Sequence, residues 1–412
     1  MRTSSLIDFF GLKRGIFGLL VLVVLVGLGE HMGEQFVPIY LFALGGGELV
    51  VGIRQAFNNL LNALYSFPGG YLADRWGVRN SLLFFILVAM AGFLIVSISA
   101  AKSAVILGSA LFLSWSAVSQ PAMMNYIFAT LPPERRTMGV ALNSLVRRIP
   151  KALGPVIGGI MIGKWGEQEG VRYAFLTAFV LTSLSLVVVV KLVGGKTLES
   201  ESKPRERGAL HPLRLFREMN SPLRNLLVSD ILIRFCEQLP YAFVVVWCMK
   251  GIDQPVSAAE FGALTAIEMT TALLIYIPVG HFADRFGKRP FVLATFVFFS
   301  LFPVALLMCQ SFWPLAAAFV LRGLKEFGEP TRKALIVDLS PQDKRATMFG
   351  LYYLIRDTIV SIAPILGAAL WIASPTASLM CASAFGAIGT GWFALRGRDV
   401  VLSGTSAGTD KV

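Results

Sequence analysis

Residues 70–79 read GYLADRWGVR, and residues 280–289 read GHFADRFGKR. The two stretches are identical at six of ten positions and lie 210 residues apart, about half of the 412-residue chain. The same register continues beyond them, because Pro68 corresponds to Pro278 at a shift of 210 and Arg147 to Arg356 at a shift of 209. A register kept across most of both halves indicates an internal repeat. We therefore predict two parallel, homologous halves with a site between them.

The composition indicates that the solvent of this chain is largely lipid. Hydrophobic residues make up 55% of the sequence and charged residues only 15%, against about a quarter charged in an ordinary soluble domain. The mean hydropathy is +0.68. A soluble fold could not cover so much apolar surface with so few charges. The formal net charge of +12 fits basic cytoplasmic loops of a membrane protein, so we expect a lipid bilayer and no nucleic acid as partner.

Twelve apolar segments follow one another along the sequence, and one long polar stretch at 194–221 divides them into six and six. We predict an all-α membrane protein with twelve transmembrane helices in two six-helix pseudo-repeats. The predicted organisation is an N-terminal six-helix bundle at 1–193, a cytoplasmic linker at 194–221, a C-terminal six-helix bundle at 222–396 and a cytoplasmic tail at 397–412. The segments are 15–42, 49–73, 80–100, 103–130, 138–164, 171–193, 222–249, 257–282, 289–310, 313–338, 346–372 and 376–396.

The basic residues predict the orientation. Lys and Arg concentrate at the N-terminus, in the central linker, in the tail and in the loops on the same side of the predicted helices, whereas the opposite loops carry few. Because basic residues collect in cytoplasmic loops, we expect a multi-pass protein of the cell (inner) membrane with both termini in the cytoplasm.

The repeated stretch resembles the G-x-L-a-D-r-x-G-r-k signature of the major facilitator superfamily, in both of its copies. The resemblance covers the whole chain and implies a major facilitator fold, a secondary transporter rather than an enzyme, and a latch that closes the cytoplasmic side in one state. The alternative is that the motif only stabilises the connection between two helices and has no part in transport. The resemblance assigns gating to Gly70, Asp74, Arg75 and Gly77, and to Gly280, Asp284, Arg285 and Gly287.

A second motif lies in segment 138–164, where residues 154–159 read GPVIGG. This is similar to the G-P-x-x-G-G core of the family's antiporter signature, which implies export in exchange for protons. Pro155 removes a backbone hydrogen bond, and Gly154 and Gly158 allow another helix to approach closely. We predict a gating role for these three residues; ordinary small-residue packing is the alternative.

Ionisable residues within the apolar segments mark the candidate site, since such residues are costly in lipid and usually face a cavity. Burial raises the pKa of a carboxyl group and a nearby arginine lowers it, so a glutamate that faces a movable arginine can load and release a proton as the cavity alternates. The alternative is a set of structural ion pairs. We predict proton coupling by Glu30, Glu34 and Glu237 with His31 as a relay, and substrate binding by Arg54, Asn58, Arg147, Glu268, Arg356, Asp357, Tyr40 and Tyr241.

Segment 313–338 is crowded with charge, and its spacing favours ion pairs along one helix, Arg322 with Glu326 and Lys325 with Glu329. Arg332 is expected near the cytoplasmic end, where its side chain can extend to water.

The leading interpretation is proton-coupled efflux of a small organic or amphipathic compound by alternating access. The alternative is proton-coupled uptake or exchange of an anionic metabolite. Less favoured are an intramembrane enzyme, a non-transporting receptor and divalent metal export through His31, Glu30 or Glu34, and Cys236. No phosphate-loop motif is present in the sequence, so we expect no ATPase activity and transport driven by an ion or substrate gradient. We also expect no cofactor and no resident metal. A small-molecule substrate and protons are the expected partners of a monomer.

Overall fold

The computed structural model describes residues 14–130, 133–192, 216–341 and 345–398, with some stretches inside the helices, including 66–79, 120–145 and 276–286, described by their backbone alone. The described residues contain helices and no strand. The helices are α1 Arg14–Glu34, α2 Val37–Ala43, α3 Glu48–Ile98, α4 Lys102–Thr130, α5 Pro133–Leu192, α6 Ser221–Gln238, α7 Val244–Val246, α8 Ala258–Phe286, α9 Arg289–Leu307, α10 Phe312–Leu324, α11 Glu329–Leu339, α12 Arg345–Val360, α13 Ala363–Ala373 and α14 Pro375–Arg396.

Seven helical stretches among the described residues are long and apolar enough to cross a membrane, or eight if α1 and α2, which meet at 41°, form one bent span. The prediction of an all-α membrane protein is therefore confirmed, while the number of twelve spans stays a prediction. Two predicted segments, 49–73 and 80–100, lie in α3, which has 51 residues and continues through the stretch between them. At 1.5 Å per residue, a straight helix of that length would be about 76 Å long, more than two bilayer cores.

Helix α5 also contains two predicted segments, and here the break is visible. Gly166 has φ +80° and ψ 172°, which are not helical values. This left-handed region favours glycine, since a Cβ would clash with the backbone. The chain can therefore reverse at Gly166, and the predicted segments 138–164 and 171–193 lie on either side of it.

Helices pack on one another within the first part of the chain and within the second, and several contacts join the two parts. In the first half α1 packs on α5 and α3 packs on α4, whereas in the second half α14 packs on α6 and α9. Across the halves, α5 packs on α8 and α3 packs on α13. Three apolar cores lie between the described helices: a large one that includes Phe36 and Phe112, a smaller one around Leu226 and Phe296, and a third around Leu239.

Glycines permit the closest of these contacts. A Cβ on Gly158 would lie 2.0 Å from the Met32 carbonyl oxygen, and one on Gly154 would lie 2.8 Å from His31 Cβ. The next residue, Gly159, meets the start of α8 in the same way, with a Cβ 2.2 Å from the Ala258 carbonyl oxygen. The close approach expected from the GPVIGG motif is thus present, against α1 within the first half and against α8 across the halves.

Candidate functional site

A cavity lies between the two halves, and we call it cavity 1. Its empty volume is about 380 Å³, part of it open to solvent. Helices α1 and α3 of the first half supply one wall, and the chain after α6, together with α8 and α10, supplies the other. Its lining residues are Glu34, Gln35, Pro38, Arg54, Gln55, Tyr241, Ala242, Val244, Val245, Phe261 and Arg322.

A second cavity, cavity 2, adjoins the first on the side of the second half. Its empty volume is about 310 Å³, and it shares Tyr241, Val244 and Arg322 with cavity 1. Glu237 and Lys325 line it, together with the apolar side chains of Phe299 and Phe302. A void lined by polar and ionisable residues therefore lies between the halves, where the repeat predicts a site.

Glu34 and Arg54 carry the charges that the first half contributes to cavity 1. Glu34 Oε2 lies 3.3 Å from His31 Nδ1, one helical turn away in α1. Arg54 donates from Nε to Ser109 Oγ at 3.3 Å and from Nη1 to Gln55 Oε1 at 3.4 Å. The Asn58 amide, turned so that its oxygen faces Arg54, accepts hydrogen bonds of 3.2 and 3.1 Å from Nε and Nη2. Arg54 and Asn58, both predicted to bind substrate, are thus hydrogen-bonded to each other.

Three other predicted residues of the first half line neither cavity. Glu30 is only 2% exposed, and it attracts Arg147 electrostatically. Arg147 donates from Nη2 to Ser119 Oγ at 3.3 Å. Tyr40 is fully buried in the larger apolar core. Of the predicted site residues in the first half, Glu34 and Arg54 line the cavity, and Asn58 adjoins it through its hydrogen bonds with Arg54.

Cavity 2 and part of cavity 1 face a chain of ion pairs that runs through the second half. Arg322 Nη1 lies 3.2 Å from Glu268 Oε2, and Lys325 Nζ lies 3.4 Å from Glu268 Oε1. Lys325 also lies 2.8 Å from Glu237, which pairs with Arg234 at 2.7 Å. The five charged residues come from three helices, α6, α8 and the end of α10, so tertiary packing brings them together.

The chain of ion pairs continues away from the cavities to a buried aspartate. Arg234 lies 3.2 Å from Glu329, which pairs with Arg332 at 2.6 Å. Arg332 then bonds to Asp230, which also accepts from Arg356 at 3.2 Å. The hydroxyl of Tyr352 donates to the same Asp230 oxygen at 3.0 Å. Arg356 donates from Nε to Asp357 at 2.7 Å. Neither of these two residues lines cavity 1 or cavity 2, although both were predicted to bind substrate.

These pairs correct two sequence expectations. Arg322 and Lys325 pair across helices with Glu268 and Glu237, not along their own helix with Glu326 and Glu329. Arg332 does not extend to water, because it is 1% exposed and bonded to Asp230. Helix periodicity fixes which side chains share a face, but only packing decides which neighbouring helix that face meets.

Asp230 was missed among the sequence candidates, although a signal was present. Asp230, Arg234 and Glu237 stand at positions i, i+4 and i+7 of α6, so they lie on one face. In the structure, this face carries the carboxylates around which three arginines gather.

The predicted latch lies mostly outside the described residues. Side chains at Gly70, Asp74, Arg75, Gly77, Gly280, Asp284 and Arg285 fall in stretches described by backbone alone. Gly287 is described: it follows the last residue of α8 with φ +82°, a conformation that favours glycine. Pro155, like Gly154 and Gly158, lies where α5 meets its neighbours, and its carbonyl oxygen would be 2.4 Å from a Cβ on Gly262 of α8.

Polar contacts join the halves around the cavities. Asn59 Nδ2 donates to Gln238 Oε1 at 2.8 Å, beside the cavity lining. Arg148 Nη2 lies 3.4 Å from Glu326. Lys250 Nζ lies 2.9 Å from Glu167, near the loop that follows the π-helical turn Trp247–Gly251. The three contacts link elements that would separate if the halves moved apart.

No group of three or more His, Cys, Asp or Glu side chains suited to a metal ion is found in the described ranges. His31 has Glu34 as its neighbour, and Cys236 donates to the Phe299 carbonyl oxygen at 3.2 Å instead.

Comparison with known proteins gives concordant matches. The family model for the Major Facilitator Superfamily matches residues 19–255 and 226–411. The multidrug resistance protein MdtH of Yersinia enterocolitica is 24% identical over 342 residues, which cover 82% of this chain and 81% of that protein. The uncharacterized MFS-type transporter YfkF of Bacillus subtilis is 27% identical over 157 residues, so the match spans only 38% of that relative.

Among solved structures, a POT family transporter in complex with 5-aminolevulinic acid superimposes with a TM-score of 0.78. The match covers 94% of this chain and 96% of that one, at 15% identity. A likeness at such low identity shows the fold alone.

Proposed function

Because the chain belongs to the Major Facilitator Superfamily, a family of membrane transporters, we propose that it exports a small organic or amphipathic compound in exchange for protons. The single observation that carries the proposal is cavity 1, a partly open void lined by Glu34 and Arg54 from one half and by Tyr241 and Arg322 from the other. A ligand there would contact both halves at once. The multidrug resistance relative supports export as the direction.

In the proposed mechanism the two six-helix bundles, 1–193 and 222–396, rock about the cavity and open it to one side at a time. The linker 194–221, the tail 397–412 and both termini are proposed to lie in the cytoplasm of a cell whose inner membrane holds the protein. The glycine contacts between α5 and α8 supply a close interface on which such a motion could pivot. The latch residues at 70–77 and 280–287 would hold one end of that motion.

Glu34 and Glu237 are the proposed proton-coupling carboxylates, because both line the cavities. Glu34 has only His31 as a charged partner within 4 Å among the described residues, whereas Glu237 is held by Lys325 and Arg234. Loss of a proton from Glu34 would thus change the charge of the cavity without first breaking an arginine pair. We propose His31, which lies 3.3 Å from Glu34, as the relay for that proton.

A second candidate function is proton-coupled uptake of an anionic metabolite. The observation that favours it is Arg54, a buried guanidinium on the cavity wall. An anion at Arg54 and a proton on Glu34 would offset each other's charge, so that they would bind together, as co-transport requires. The POT family structure was obtained with 5-aminolevulinic acid.

One experiment tests both candidates. Purified protein in liposomes with a pH-sensitive dye inside is exposed to candidate compounds found by a thermal-shift screen of drugs, sugars and organic acids. Export by exchange predicts that substrate and protons move in opposite directions. Co-transport predicts movement in the same direction. A compound that stabilises the protein but produces neither proton movement nor counterflow would contradict both and would favour a receptor.

A further inference from the structure

The cations on the cavity walls differ in whether a carboxylate neutralises them. Arg322 has Glu268 at 3.2 Å, and Lys325 has Glu237 at 2.8 Å. Arg54 is the exception among the cavity-lining residues that the structure describes, since no described carboxylate lies within 4 Å of it. It is nevertheless only 3% exposed. A buried guanidinium without a counter-charge is costly unless an anion occupies the site at some stage.

The groups around Arg54 orient it without neutralising it. Ser109, Gln55 and Asn58 accept its hydrogen bonds through neutral oxygens at 3.1–3.4 Å. Glu34 attracts Arg54 through space, but the charged group in contact with Glu34 is His31, at 3.3 Å. The guanidinium is therefore held on the wall of cavity 1 with its positive charge uncompensated at close range.

The remainder of cavity 1 indicates what kind of anion fits. Pro38, Val244, Val245 and Phe261 supply apolar surface. Tyr241 and Arg322 also line the cavity. The guanidinium carbon of Arg322 lies over the Tyr241 ring, 5.9 Å from its centroid. An inorganic ion would leave the apolar surface uncovered.

We infer that Arg54 is an anion subsite that binds the carboxylate of a small amphipathic organic acid, with the hydrocarbon part of the acid against Phe261, Val244 and Val245. The planar fork of a guanidinium matches the two oxygens of a carboxylate. The subsite is formed by α3 of the first half, and the apolar wall by the second half, so the acid bridges the two. The inference rests on the proposed transport function, in either direction, and names the substrate class for it.

The test is a thermal-shift assay on the purified full-length protein at constant ionic strength. The probes are benzoate, 4-phenylbutyrate and indole-3-acetate, each paired with its uncharged primary amide, at up to about 10 mM, ten times the Kd of a millimolar ligand. At least one acid is expected to raise the melting temperature more than its amide does. That difference should vanish in Arg54→Gln and persist in Arg224→Gln, which removes a charge from an exposed position of α6.

A second variant keeps Arg54 and places a carboxylate beside it that neutralises its positive charge. Ser109 Oγ is 3.3 Å from Arg54 Nε, so Ser109→Asp supplies an internal carboxylate at that position. It is expected to abolish the preference for the acid over the amide even if Arg54→Gln fails to fold. An acid that retains its advantage in Ser109→Asp would overturn the inference, as would a wild-type protein that does not distinguish any acid from its amide.

Failure of the subsite and failure of the proposed function give different results. Uphill transport of a neutral or cationic compound, without any preference for acids, would remove the subsite and leave the transport function intact. A carboxylate that binds through Arg54 but never crosses the liposome membrane would support the subsite and contradict the transport function.

Discussion

Asp230 and Arg332, which are 102 residues apart in sequence, bond to each other in the interior of the second half, and both side chains are almost completely buried. Asp230 also accepts hydrogen bonds from Arg356 and from the hydroxyl of Tyr352. One carboxylate thereby holds together three helices, α6, α11 and α12. It is the far end of the chain of ion pairs that reaches the cavities at Arg322 and Lys325.

Removal of the Asp230 charge should destabilise the protein. Asp230→Asn leaves two buried arginines without this counter-charge, and breaking a buried ion pair from one side costs about 3–5 kcal/mol. We expect a large fall in the melting temperature of the purified protein. The matched control is Asp357→Asn, since Asp357 also pairs with Arg356 but has a side chain that is 35% exposed. Equal melting temperatures for the two variants would show that Asp230 does not hold the helices together.

The contact between α5 and α1 predicts a position-specific effect of one methyl group. Gly158→Ala places a Cβ 2.0 Å from the Met32 carbonyl oxygen, so α1 has to move. We expect a lower melting temperature and slower transport. Gly163→Ala in the same helix meets nothing within 4 Å and should be neutral or stabilising by up to about 1 kcal/mol, the helix preference of alanine over glycine. If both variants behave alike, the close approach has no energetic consequence.

Proton coupling by Glu34 can be separated from substrate binding. Glu34→Gln is expected to fold normally, because its charged partner in the structure is His31 at 3.3 Å, and to retain ligand binding and counterflow. Gradient-driven accumulation should be lost. Glu237→Gln should show the same loss together with reduced stability, because Lys325 and Arg234 each lose one of their carboxylate partners.

The control for both variants is Asp253→Asn, at an exposed position in the loop before α8. It should accumulate substrate as the unaltered protein does. Uphill transport that survives in both glutamate variants would rule out Glu34 and Glu237 as the coupling groups.

The ion pair between Glu167 and Lys250 should bias the position of the two halves. Exposed pairs contribute about 0.2–1 kcal/mol, so Glu167→Lys is expected to raise the population of the separated state by up to about fivefold. The measurement is the rate at which a membrane-impermeant maleimide labels Gln35→Cys on the cavity wall, read by mass spectrometry at position 35. Adding Lys250→Glu restores the opposite charges and should return the rate to its original value. If the doubly reversed protein is labelled as fast as Glu167→Lys alone, the pair does not control opening.

Several features of the fold follow from the sequence. Continuous apolar segments and few charges require helices in lipid, because a bilayer offers no partner for an unpaired backbone group. The 210-residue repeat indicates two homologous halves with a site between them, and a cavity does lie there. The glycine spacing in GPVIGG predicts a close helix contact, and α1 provides it.

The partners of the charged residues were decided by the tertiary structure. The sequence placed Arg322 and Lys325 on one stretch of helix, but only the packing of α10 against α6 and α8 brought Glu268 and Glu237 to them. Both Tyr40 and Arg54 are predicted from the sequence to bind substrate. In the structure, Tyr40 lies in an apolar core and Arg54 lies on the cavity wall. The physical reason is that hydropathy and helical periodicity are properties of a single segment, whereas an ion pair or a cavity depends on how each helix is rotated against its neighbours.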